Sequence, residues 1–394
     1  MANQFKVPMS GPDITDAERA KVIEVINSPM LSMGAQTANF ESAVAGFVGA
    51  KHAMAVNSGT AGLHLCVRAA DIQPGDLVIT TPFSFVASTN VILFEKAIPV
   101  FVDVDALTGN LDVDQLEQAA DDLAEGGKAA KKWLPKKGAE NHGKLKAILA
   151  VDVFGQPADY DRIQAVAKKH DLIIIEDSCE SLGAEYKSRK TGLFGDYGVF
   201  AFYPNKQITT GEGGMIVTNN DKAAALMRAL RNQGRAPGDN WLQHTELGYN
   251  YRIDEMSAAI GFVQMSRIEE LIDKRQRVAD WYGERLAEIQ GIEAPGISDD
   301  TTRVSWFVYV IRVKPGMDRD KLADKLSAAG IPVRPYFLPI HLQPYMVKQF
   351  GYAEGDYPVT EDLGQRGLAL PFSGVMTEEQ VELVCKALQE CLVP

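Results

Sequence analysis

The stretch from Asp171 to Thr218 constrains the fold more than any other. It reads as strand, loop and strand, and it carries an acid, a lysine and a glycine cluster. Leu172, Ile173, Ile174 and Ile175 form a wholly apolar run rich in β-branched residues. Such a run fits a strand buried on both faces of a parallel sheet. It ends in Glu176 and Asp177, which puts carboxylates at a strand's carboxyl end, where open α/β sheets bind ligands. A second run, Val199 to Tyr203, is followed by Pro204, whose missing N–H stops a ladder. Lys206 therefore leaves a strand end on a short loop. Gly211, Gly213 and Gly214 then allow close backbone approach, and Met215 to Thr218 read as a further strand.

An acid and a lysine at two strand ends suit one chemistry in particular. Pyridoxal phosphate (PLP) needs an amine for its Schiff base and a carboxylate that keeps the ring nitrogen protonated. Taken singly, each residue reads as ordinary: lysines are mostly solvated and glycines mostly make turns. The ordered combination is what points to a cofactor.

The segments EDSCESLGAEYKSRKTGLFGD and FAFYPNKQITTGEGG resemble the signature of the DegT/DnrJ/EryC1/StrS family, PLP-dependent sugar aminotransferases of the aspartate-aminotransferase fold (fold type I). The resemblance implies that Lys206 is the Schiff-base lysine, that Asp177 partners the pyridine nitrogen, and that Glu180 lies near the cofactor ring. Many members have Ser, touching the phosphate, where this chain has Ala201.

The 394 residues are 46% apolar, enough for a sizeable core and two domains. The formal net charge of −12 argues against nucleic acid, whose binding rests on Lys and Arg contacts to phosphate. The four cysteines show no metal spacing, and reduced thiols in a cytoplasmic protein are the simplest reading. The N-terminal residues lack a signal-like apolar core, and no run approaches the ~20 apolar residues of a membrane span.

Taken in order, Thr15 to Glu18 form a capping box ahead of a helix. The first segments resemble the family's N-terminal arm, which lies near the subunit interface. A strand over Ala53–Val56, the turn Asn57-Ser58-Gly59-Thr60 and a helix from Ala61 form an anion site, because free N–H groups and the dipole's positive end converge there. By resemblance, Gly59 and Thr60 bind the cofactor phosphate and Phe85 covers the pyridine ring. Residues 125–144 bring Lys128, Lys131, Lys132, Lys136 and Lys137 into an acidic protein; a solvated surface insertion is the reading preferred over an approach to a nucleotide diphosphate. Alternating strands and helices from about residue 50 to 220 predict a mostly parallel sheet flanked by helices.

Gly248 to Arg252 (GYNYR) read as a polar, aromatic turn; the resemblance implies that Asn250 reaches the phosphate in the neighbouring subunit, so that each site needs a homodimer. From Asp254 one long helical pattern continues to about Ile289, on the order of 50 Å. Val304 to Ile311 read as a strand apolar on both faces, followed by a helix from Asp318 and a final helix opened by a capping box at Thr377. These give a smaller C-terminal α/β domain. The predicted division is residues 1–255, arm and large PLP-binding domain, and 256–394, connecting helix and small domain. A lone histidine is usually structural, but a family segment similar to the one ending at His341 lies near the sugar, making His341 and Tyr336 substrate candidates.

The implied activity is transfer of an amino group, from glutamate, to a keto group of a nucleotide-linked sugar for amino-sugar or polysaccharide biosynthesis. Three other readings stand beside it. A deoxygenating branch of the family has His in place of the lysine, and Lys206 argues against it. Another branch acts on a cyclic non-nucleotide keto substrate. The third is a regulatory member without turnover, which the intact Asp177 and Lys206 disfavour.

Overall fold

The computed structural model describes residues 5–236, 238–240 and 242–392. Its centre is a seven-stranded sheet: β1 (His52–Val56), β2 (Leu77–Thr80), β3 (Ile98–Phe101), β4 (Leu145–Val151), β5 (Ile173–Asp177), β6 (Tyr197–Ala201) and β7 (Gly214–Thr218). The order is β1-β7-β6-β5-β4-β2-β3. β3, β2, β4, β5 and β6 pair in parallel, and β7 runs antiparallel to both β6 and β1. The expected mixed α/β fold with a mainly parallel sheet is thus the observed one.

Strand alternation explains why β5 is apolar throughout. Side chains point to opposite faces in turn, so Ile174 enters the core that Ile163, Val166 and Tyr160 complete, while Ile175 enters the core of Leu63, Val67 and Leu149. Helices on both faces leave neither side to water. The same alternation separates the two acids at the strand's end. Glu176 turns to the loop at Gly192 and Gly195, whose N–H groups it accepts, and burial pushes its carboxyl up to about 8. Asp177 turns the other way.

β6 lies two residues earlier than the sequence suggests. Ala201 still pairs with Gly214, and Phe202 donates to Gly213 O at 3.0 Å. The chain then turns, with Lys206 N bonded to Tyr203 O at 2.9 Å.

The expected single helix from Asp254 is two, Glu255–Ser266 and Ile268–Leu286. Arg267 breaks it at φ −117°, ψ 11°, where its guanidinium meets Asp13, Glu18 and Glu270, each at 3.0 Å. Apolar periodicity continues across a one-residue break, so the pattern could not reveal it. The second helix packs on a four-stranded antiparallel sheet of Ile292–Glu293, Tyr309–Val313, Gly367–Leu370 and Arg334–Pro335. Val278, Tyr282, Ile311, Leu326, Leu368 and Val384 fill its core. Val304 to Val308 precede the strand Tyr309–Val313 and lie outside that ladder. Among the described residues no helix is long and apolar enough to cross a membrane.

Candidate active site

Beyond the carboxyl ends of β5 and β6 lies a cavity of about 730 Å³, within the usual size of small-molecule sites. Its wall includes Gly59, Thr60, Phe85, Asp177, Glu180, Lys206 and Tyr336. Seven of the nine residues singled out in the sequence therefore share one space.

At one side the helix Gly59–Ala69 begins. Ser58 caps it, accepting from Ala61 N at 3.1 Å, and the first N–H groups of any helix have no partner within it. Only glycine fits at position 59: an added Cβ would stand 2.8 Å from both Ala201 Cβ and Cys179 Sγ. The helix end thus presses directly on β6 and the turn after β5, and Ala201 lines the cavity beside it.

Asp177 is buried and held by neutral donors. Ser88 Oγ donates to its Oδ2 at 2.6 Å, Cys179 N donates to its Oδ1 at 3.3 Å, and Ser84 Oγ lies 2.9 Å from Ser88 Oγ. Phe85 lies between these serines in sequence, and its ring is 63% exposed on the cavity wall. Across the cavity, Lys206 Nζ stands 3.4 Å from Glu180 Oε1 and 3.8 Å from the centroid of the Phe307 ring. The other oxygen of Glu180 accepts from Phe154 N at 2.9 Å. Burial pushes the Glu180 carboxyl up, opposed by the lysine's charge and this N–H. Asn205, also on the wall, keeps a buried Oδ1 without a hydrogen-bond partner among the described residues.

The structure does not bring the remaining two candidates to this wall. His341 is fully buried on a short turn, its Nε2 2.9 Å from Glu361 Oε1, and burial lowers its pKa. Gln343, two residues on, reaches the cavity instead. Asn250 is exposed on the loop between Tyr249 and Tyr251. Those rings stack at 4.9 Å, with Tyr251 on His64 at 3.0 Å and Tyr249 on Arg68.

Ser88, Asn205, Phe307 and Gln343 are among the wall residues that the sequence did not single out. Ser88 alone left a usable signal, a hydroxyl one helical turn beyond Phe85.

A cradle for an anion at a helix start, a buried carboxylate with no ion pair among the described residues, and an amine on an aromatic ring form a donor set that fits a phosphorylated pyridine aldehyde. The sequence profile of the DegT/DnrJ/EryC1/StrS aminotransferase family matches residues 12–389. The chain belongs to that family. It is 37% identical over 397 residues to GDP-perosamine synthase of Caulobacter vibrioides, covering 100% of both chains. It is 33% identical over 375 residues to UDP-N-acetyl-3-dehydro-alpha-D-glucosamine 3-aminotransferase of Acidithiobacillus ferrooxidans, covering 94% of this chain and 92% of that one. Among solved structures, the PLP form of Spr1654 from Streptococcus pneumoniae superposes with a TM-score of 0.86 at 26% identity, covering 98% of each chain.

Proposed function

We propose that the protein is a PLP-dependent aminotransferase that moves an amino group from glutamate to the keto group of a nucleotide-linked sugar. The observation that carries this reading is that Lys206 and Asp177, from the ends of different strands, line one cavity with the helix start at Gly59. When bound, PLP supplies an electron sink for carbon–hydrogen bond cleavage next to nitrogen. The chain's residues do the rest. Lys206 anchors the cofactor and, when free, takes and returns the migrating proton at Nζ. Asp177 holds the pyridine nitrogen in its protonated form, and Ser88 holds Asp177. Gly59 and Thr60 offer the phosphate N–H groups, a helix dipole and a hydroxyl; with Ala201 lacking a hydroxyl, they bear more of that contact. Phe85 covers a ring face, and Tyr336 faces the substrate side.

The substrate class rests on relatives whose names specify GDP- and UDP-linked sugars. Incubating PLP-loaded enzyme and glutamate with GDP- and UDP-linked 3-keto and 4-keto sugars should aminate one member of the panel. A loaded enzyme that aminates none of them contradicts the reading.

The reading extends to a homodimer with shared sites. Asn250 is exposed and does not line its own cavity, and the nearby Leu247 is 81% exposed, which suits a loop that completes a second copy. The proposed domain boundary stays at residue 255; the second sheet packs on its own core, while Ala258, Met265 and Ile268 still join the core of Phe40 and Val44. The cytoplasm is the proposed location, where the four free cysteines stay reduced.

A further inference from the structure

Arg275 is 4% exposed in the middle of the helix Ile268–Leu286. Burying a cation is costly unless its donors are satisfied, and among the described residues its guanidinium makes no ion pair. It donates instead to backbone carbonyls of two segments. Nη1 reaches Trp306 O at 3.1 Å and Phe307 O at 3.3 Å; Nη2 reaches Asn205 O at 3.1 Å and also Lys206 O. The donors of a guanidinium are fixed in one plane. Two chain segments about a hundred residues apart are thereby locked to a single rigid fork. Gln207 ties the same region a second time, its Nε2 donating to Glu180 O and to Ser305 O, the latter at 2.7 Å. The outcome is the seat of the amine: Lys206 Nζ on the Phe307 ring and beside Glu180. Arg275 itself lies behind the cavity wall and touches none of its space.

We propose that Arg275 is a positioning residue for Lys206, holding the lysine's peptide and the Phe307 ring as one unit and so setting where the amine meets the cofactor. This rests on Lys206 being the residue that binds PLP.

The test compares Arg275→Met, which removes the donors, Arg275→Lys, which keeps the charge without the fork, and Phe307→Leu, which removes the seat without disturbing the buried cation. Thermal unfolding of each apoprotein establishes folding. PLP is then added, and its capture on Lys206 is followed by borohydride quenching and peptide mass analysis. In folded Arg275→Met, capture should slow about 100-fold, the usual effect of misplacing a reacting group by about 1 Å. Its kcat should fall by a similar factor, while KM for the keto-sugar stays within about 3-fold. Arg275→Lys should recover part of the loss, and Phe307→Leu should show a smaller loss of the same kind. Wild-type capture and kcat in folded Arg275→Met overturn the proposal. If Arg275→Met does not fold, wild-type behaviour of both other variants overturns it. Absence of cofactor on Lys206 in the unsubstituted protein instead overturns the assignment of the lysine.

Discussion

Among the described residues, two lysine-bearing cavities of similar size differ in what their polar groups are left free to do. The one at the ends of β5 and β6 measures about 730 Å³; the one beneath the basic insertion measures about 650 Å³ and is lined by Lys131, Lys132, Trp133, Lys136, Lys137 and Tyr357 among others. In the second, two of the four lysines are paired within the protein. Lys132 pairs with Asp122 at 2.7 Å, Lys136 pairs with Asp356 at 2.7 Å, and Trp133 Nε1 donates to Asp122 at 2.7 Å. In the first, the donors to Asp177 among the described residues are uncharged, Ser88 and Cys179, and the carboxylate nearest Lys206 stands at 3.4 Å. Chemical readiness, more than volume or the number of lysines, separates the two.

The largest expected effect sharpens this contrast. Lys206→Ala should still take up PLP but lose turnover by about 10⁴-fold or more, since it removes both the anchor and the proton carrier. Steady-state assay beside absorbance spectra checks both halves. Asp177→Ala comes next. Loss of the charge that keeps the ring nitrogen protonated should lower kcat on the order of 100-fold or more, with Lys206 still able to capture PLP.

Ser88→Ala removes one hydrogen bond to a charged group, and Asn250→Ala would remove the one proposed to the neighbouring subunit's cofactor phosphate, each about 1.5–3 kcal/mol. Asn250→Ala should weaken PLP retention about 10- to 100-fold. Mixed dimers with Asn250→Ala on one chain and Lys206→Ala on the other should regain part of the activity; no complementation counts against shared sites. Ser88→Ala should lower kcat within the same range while leaving retention nearly unchanged. The smallest effect belongs to the second cavity. Lys132→Ala with Lys136→Ala removes surface ion pairs worth about 0–1 kcal/mol, so PLP affinity and kcat should stay within about 2-fold. A large loss there would break the comparison.

What the sequence disclosed follows from interaction range. The capping box at Thr15 is present with both of its bonds, and Thr377 and Gln380 reciprocate in the same way at the last helix. These are local, three-residue signals. The buried strand β5 was legible because sandwiching between helix layers demands apolar residues on both faces. Asp177 and Lys206 stood out because the first closes β5 and the second follows β6 on a short loop, both at the carboxyl ends of neighbouring strands. Ser88 meets Asp177 across 89 residues, and Arg275 meets Lys206 across 69. No periodicity encodes such meetings. Arg275 in particular sits in an amphipathic helix, where an arginine normally reads as solvated. His341 shows the converse: a titratable residue in a suggestive segment whose imidazole is spent on Glu361 in the interior.

On the proposed function, Lys206, out of all the chain's lysines, is the one whose amine is offered to the cofactor. Loading the protein with PLP, reducing it with borohydride and mapping the labelled peptide tests that directly. The expected result is one phosphopyridoxyl group per chain, on Lys206. Label confined to the insertion, on Lys132 or Lys136, or no label at all, would contradict it.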